Sequence, residues 1–288
     1  MLDQLLRTAS MEVSAREREA AALCRDLLAP GTRVYINFAP GDTHHGMVAA
    51  AARLAQAGFR PVPHVAVRHL ASFTQLRDYL GRAVGEAGVE QVLLIGGDIA
   101  QPVGPFGSSL QALATGVFEQ SGLRRIGLAG YPEGHPRIDA RALDDALLAK
   151  LALARRAGLE PYVVSQFCLE AAPIIDWLGR LRAQGIDAAV HVGLAGPTSI
   201  AALARYAVRC GIGNSIRALV GGQTSVARLL TEAGPEPVLR ELAAVPALAQ
   251  IAGLHFFSFG GTARTAEWLR QATPQLASAG TPGPPSRG

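Results

Sequence analysis

The chain has 288 residues, of which 49% are hydrophobic and 17% charged, enough to bury a large core as one domain. Its net charge of +4 rests on scattered arginines, Lys150 being the only lysine, which argues against a nucleic-acid-binding face and for surface ion pairs, with a few arginines left for anionic ligands. Cys24, Cys168 and Cys210 are odd in number and lack CxxC spacing, so neither a disulfide framework nor a zinc site is expected; a cytoplasmic setting fits, and no run reads as a signal peptide or membrane span.

Residues 1–8 read as a leader. A polar strand over 9–15 precedes a helical pattern over 16–28, stopped by Pro30-Gly31. Strand 33–39, helix 45–57 with a glycine stop, and an extended segment 59–67 follow; Pro61 and Pro63 forbid helix in the last of these. Ser72 with Gln75 opens a helix over 72–87. The apolar run 89–96 reads as a strand buried on both faces and ends in Gly96-Gly97-Asp98.

A helix over 108–120 leads to strand 125–129 and then to the densest turn in the chain, Tyr131-Pro-Glu-Gly-His135-Pro136. Helix 139–157, strand 161–168, helix 174–184, strand 187–195 and helix 199–209 come next. A weakly periodic stretch reaches residue 233, followed by helix 235–248, strand 253–259 and helix 262–275. The Gly/Pro/Ser-rich end, 277–288, reads as disordered.

Eight strands, each followed by a helix, imply a single-domain (β/α)8 barrel over 9–276. A doubly wound open sheet would show the same alternation, but no GxGxxG follows the first good strand. In a barrel the site collects at the C-terminal strand ends. Those positions hold Glu12, Asn37, His64, Asp98, Tyr131 with His135, Gln166 and His191. Plainer roles stay open for several of them: a surface acid for Glu12, a backbone hydrogen bond for His64, a turn cap for Asp98 and a simple Pro/Gly turn for the Tyr131 loop. Gln166, in an apolar strand, needs a partner for its amide. The histidines lack HExxH or HxH spacing, so no metal is expected.

The acid in Ser10-Met-Glu12, Pro63-His64, Gly97-Asp98, Tyr131-Pro-Glu-Gly-His135-Pro136, Ser165-Gln166-Phe167 and Leu254-His255-Phe-Phe fall in one order along the chain. Together they resemble the methylenetetrahydrofolate reductase family from about Ser10 to Leu269. The resemblance implies a flavoprotein barrel binding FAD, with NADH or NADPH as co-substrate, that interconverts 5,10-methylenetetrahydrofolate and 5-methyltetrahydrofolate. It implies catalytic roles for Glu12 as proton donor and for Asp98. FAD would be lined by Asn37, His64, Gly97, Asp98, Tyr131 and His135, and the folate pterin would be held by Gln166. A cytoplasmic homo-oligomer acting on folate, with no nucleic acid or membrane partner, is expected.

The chain departs from the family at Gly96, where an arginine is usual. It also departs in the helix after residue 139, where Lys150, Arg155 and Arg156 stand at shifted places, and at Phe259-Gly260-Gly261 with Arg264 beyond. These departures leave an alternative, a non-catalytic folate- or flavin-binding partner of a methyltransferase system.

Overall fold

The computed structural model describes residues 1–210 and 232–278. Residues 211–231, which include most of the weakly periodic stretch, and 279–288, the bulk of the expected tail, lie outside the described residues. Eight parallel strands close a barrel: β1 (Ser10–Ser14), β2 (Arg33–Asn37), β3 (Arg60–Ala66), β4 (Gln91–Ile95), β5 (Arg125–Gly130), β6 (Glu160–Cys168), β7 (Ala189–Ala195) and, after a short antiparallel pair β8 (Thr198–Ser199) and β9 (Glu232–Ala233), β10 (Gly253–Phe257). Around the barrel each strand lies beside its sequence neighbour, β10 closing against β1. The fold is the expected (β/α)8 barrel.

Helices α2 (Ala20–Leu27), α3 (His44–Gln56), α4 (Phe73–Ala87), α7 (Ala140–Arg156), α8 (Ala171–Ala183), α9 (Ile200–Cys210), α10 (Glu236–Ala243) and α11 (Thr262–Ser278) belong to the outer layer. Residues 108–120 form two short pieces, α5 (Ser109–Leu113) and α6 (Val117–Gln120), because Gly116 enters the left-handed region at φ 76° and breaks the single helix expected there. Pro246 similarly ends the continuous helix expected over 235–248, leaving α10 and a 3₁₀ turn, Pro246–Gln250. The segment read as a leader contains α1 (Leu2–Arg7), whose Leu5 and Leu6 are buried.

Alternation along each strand separates two cores. Val34, Ile36, Val92, Leu94, Ile126, Leu128, Val190 and Val192 face outward and join the main core with helical residues such as Leu54, Leu80, Leu151 and Leu178. Tyr35, Val62, Leu93, Tyr162 and Val164 fill the barrel interior. Large rings fit there because neighbouring strands carry glycine: a Cβ on Gly127 would stand 2.8 Å from Tyr162. The strand ends therefore meet a packed interior, and along the barrel axis a site can form at the mouth above it.

Candidate active site

Glu12, the middle residue of β1, is 5% exposed, and its Oε1 lies 3.3 Å from Nε2 of His64 in β3 and 3.3 Å from Nε2 of His255 in β10. Parallel pairing of β10, β1, β2 and β3 carries these three side chains to one depth in the barrel. The His255 contact is a hydrogen bond; the His64 contact is equally close but too poorly aligned to be one. Ser258 Oγ donates to the Glu12 carbonyl at 2.6 Å, Tyr79 donates to the His64 carbonyl at 3.0 Å, and the Tyr35 ring lies 4.4 Å from that of His255.

Burial by itself pushes the Glu12 carboxyl up, yet His64 and His255 outweigh it and hold the group at about 2. His255 is pulled the other way: burial favours its neutral form more than Glu12 favours the charged one. The two tendencies meet in one proton arrangement. Ser10 Oγ lies 3.0 Å from His255 Nδ1, so the serine hydroxyl donates to Nδ1 while Nε2–H donates to an ionised Glu12. The same hydroxyl also lies 3.3 Å from the Leu254 carbonyl; donating there instead would require a proton on Nδ1 and a charged ring. The Ser10 hydroxyl thus stands between His255 Nδ1 and the Leu254 carbonyl.

Gln166 sits on a β-bulge. The pairing of β6 with β7 jumps from Val164↔His191 to Phe167↔Gly193, so that two residues, Ser165 and Gln166, stand opposite one, Val192. Ser165 Oγ repairs the ladder by accepting from Gly193 N at 2.8 Å and donating to the Gln166 carbonyl at 2.8 Å. Both ends of the Gln166 amide are buried without a partner among the described residues, as is Oδ1 of Asn37 at the end of β2. Buried amides of this kind are normally satisfied, so the mouth holds polar groups suited to a ligand with donors and acceptors on its edge.

The other expected residues lie on adjoining strand ends. Gly97 takes φ 100°, and a Cβ there would approach His69 to 3.0 Å. Asp98, half exposed, pairs with His69 Nε2 at 3.2 Å, and the His69 ring meets Phe38 at 4.9 Å. Tyr131 and His135 stand edge-to-face at 5.5 Å, with His135 Nδ1 accepting from Arg137 N. The structure joins Glu12 and His64 directly and sets Asn37, Gly97, Asp98, Tyr131, His135 and Gln166 at the same end of the barrel.

His191 does not belong to that set. It is the third residue of β7, pairs with Gly253 at the start of β10, and meets Tyr162 edge-to-face at 5.3 Å, deep in the interior. A glycine at 253 is required, since any Cβ there would overlap the His191 ring. Arg155 and Arg156 are corrected too: α7 descends from the mouth, and its last turn carries both to the opposite end, where Arg155 pairs with Asp187 just before β7. Lys150 is buried on the inner face of α7. Sequence reasoning gave no role to Ser10, Tyr35, His69 or His255, although the spacing of Ser10 and Glu12, two apart on one strand, puts both side chains on one face.

Burial, with smaller effects from Arg33, His255 and Arg125, pushes His191 down from 6.5 to about 3. The unfolded chain takes up this proton below about pH 6.5 and the folded chain does not, so stability is full above that pH and lost as pH falls toward 3. The urea midpoint is therefore expected to fall between pH 7.5 and pH 5, and His191→Leu to shrink that fall. Equal falls in both proteins would remove the assignment.

A closed (β/α)8 barrel with a buried acid–imidazole set toward the C-terminal ends of its strands is the class these observations define. No protein-family profile matches the chain. It superposes on an uncharacterized protein from Clostridium thermocellum that binds two copies of 5-methyl-5,6,7,8-tetrahydrofolic acid, with a TM-score of 0.60, 10% identity, and 93% of this chain and 95% of that one covered. It also superposes on dihydropteroate synthase (FolP) from Thermus thermophilus, with a TM-score of 0.50, 13% identity, and coverage of 95% and 93%. At such identities the likeness is one of fold.

Among the described residues no helix is long and apolar enough to cross a membrane, and no group of His, Cys, Asp and Glu is arranged to hold a metal ion.

Proposed function

We propose that this protein is a folate-binding (β/α)8 enzyme that interconverts 5-methyltetrahydrofolate and 5,10-methylenetetrahydrofolate, with FAD as hydride carrier and NADH or NADPH as co-substrate. The observation that carries this reading is the buried Glu12 carboxylate between His64 and His255, at the same barrel end as an unpaired Gln166 amide. Two proteins of the same fold support the folate part, one binding a methylated tetrahydrofolate and the other a dihydropteroate synthase by name. The order of motifs from Glu12 to His255 supports the redox part.

A flavin ring fits the residues at the mouth. Its edge alternates donors and acceptors, and the orphaned Asn37 Oδ1 and the His64 ring are the buried groups that would meet it. Bare backbone at Gly97, with Asp98, Tyr131 and His135 around it, would complete the cradle; Arg137 and Arg264 stand at this end in place of the missing lysines. When bound, the flavin supplies the hydride chemistry.

Glu12 supplies the proton chemistry. Closing the methylene bridge of folate releases the N10 proton, and an ionised Glu12 is ready to accept it. Opening the bridge requires the reverse, a proton returned from a Glu12 that has first taken one up from water at the mouth, since the neutral His255 ring keeps its Nε2–H. Gln166 would hold the pterin ring through both its amide donor and its acceptor.

The test is a spectrum and a titration. Purified protein is expected to be yellow, to bleach anaerobically with NADH or NADPH, and to bind 5-methyltetrahydrofolate in calorimetry. Colourless protein that takes up no FAD but binds the folate would support the binding-partner alternative; protein that binds neither would end both.

A further inference from the structure

Between β4 and α5 the chain runs irregularly from Gly96 to Ser108, and this segment begins with Gly97 and Asp98. A loop of that length needs outside partners for its backbone, and Pro102 and Pro105 bring no N–H to pair its carbonyls. Arg68, in the turn Val67–His69 after β3, supplies them. Its backbone N–H donates to the Gly96 carbonyl at 2.9 Å, and its own carbonyl accepts from Val103 N at 2.8 Å. Nη1 donates to the Gly107 carbonyl at 3.2 Å and Nη2 to that of Ala100. These contacts reach the loop from its first residues to its last.

The loop is also pressed onto that turn. A Cβ on Gly104 would stand 2.4 Å from the carbonyl oxygens of Leu70 and Ala71, and Arg68 crosses Gly96 with its Cδ 3.9 Å from where a Cβ would be. His69, the next residue, meets Gly97 and Asp98, so one turn holds both ligand-facing residues through an imidazole and the rest of the loop through a guanidinium. Half-buried Arg68 forms no ion pair among the described residues, and its Nε is buried without a partner. Such a charge is unfavourable as packing alone; what arginine adds is a rigid fork that reaches two carbonyls at once, which a lysine cannot copy. Phe106, 1% exposed, anchors the far end of the loop independently by meeting Phe73 edge-to-face at 4.9 Å. Loss of Arg68 should therefore loosen the loop without unfolding it.

We propose that Arg68 is a positioning residue of the mouth: it holds the loop from Gly96 to Gly107 so that the bare backbone of Gly97 and the carboxylate of Asp98 stand ready for the ligand. The role rests on the flavin and folate reading of the mouth, but the hold on the loop can be measured with no ligand present. In hydrogen–deuterium exchange of the ligand-free, full-length protein, Arg68→Gln should speed exchange of the Val103 amide by roughly tenfold or more, the scale for loss of hydrogen bonds to a charged group. Amides of β1, β3 and β10 should exchange at native rates.

The second arm is FAD uptake by the apoprotein, read as quenching of FAD emission, or the calorimetric affinity for 5-methyltetrahydrofolate if the native protein takes up only that. Arg68→Gln should weaken binding by roughly tenfold or more with a melting temperature close to native. Arg68→Lys, which keeps the charge and loses the fork, should recover only part of the affinity. Arg68→Ala should regain it saturably with added ethylguanidine, a rescue that a merely structural role would not give. Native exchange at Val103, native affinity in Arg68→Gln, or no rescue by ethylguanidine would each overturn the proposal. Native protein that binds neither FAD nor the folate ends the reading of the mouth and this role with it; native protein that binds, beside an unaffected Arg68→Gln, ends the role alone.

Discussion

Glu12→Gln is expected to cut folate turnover by about 10²–10⁴-fold, the usual scale for loss of a positioned proton-transfer group. Reduction of the bound flavin by NADH or NADPH should stay within a few-fold of the native rate, because that half-reaction moves no proton through position 12. Glutamine keeps the shape of the side chain and can still meet the ring nitrogens of His64 and His255, so the change removes charge and acidity rather than packing. Anaerobic stopped-flow measurement of the two half-reactions separates them; equal loss in both would discard the role assigned to Glu12. Ser10→Ala provides a milder companion. It removes the hydroxyl that faces His255 Nδ1 and should displace the pH profile of the folate half-reaction more than its maximum.

The second large effect is on the fold. Gly193→Ala would push a Cβ into the carbonyl oxygen of Ser165, which is backbone and cannot swing aside, and to 2.7 Å from the Phe257 ring. The bulge in β6 must then shift, at a cost of roughly 3 kcal/mol, the upper part of the usual overpacking range. For a domain of this size that corresponds to a fall in melting temperature of roughly 6–12 °C. Gln166 moves with the bulge, so affinity for 5-methyltetrahydrofolate should fall as well. Gly179→Ala, on α8 with nothing within 4 Å of the added carbon, is the matched control and should leave both quantities close to native. A Gly193→Ala protein that melts like the control would show that the bulge tolerates the methyl group.

Both variants bear on what is legible in the sequence and what is not. The strands at residues 36, 93, 127 and 190 are legible because apolar runs bounded by glycine and proline have few other uses in a chain that alternates them with helical patterns. Gly116 and Pro246 are visible too, but their power to split a helix depends on whether the backbone turns there, which local sequence leaves open. Glu12, His64 and Gln166 stand out through position at strand ends. His191 stands out in the same way and is misplaced by it, because counting along β7 does not reveal that the histidine is only its third residue and faces Gly253. The Tyr131 loop is the most conspicuous motif, yet the carboxylate between two imidazoles lies elsewhere, on β1, β3 and β10.

By itself the sequence determined the eight-fold alternation, the end of the barrel where polar residues gather, and the acid that stands among them. These are local properties, set by side-chain periodicity and by what glycine and proline do to the backbone. The tertiary structure alone decided that Glu12 meets His255, 243 positions away, that Ser10 faces the other nitrogen of that ring, and that a bulge sets Gln166 where its amide has no partner among the described residues. Those facts depend on barrel closure and strand register, which bring residues from opposite ends of the chain into one dry interior, and no pattern within a single strand encodes them.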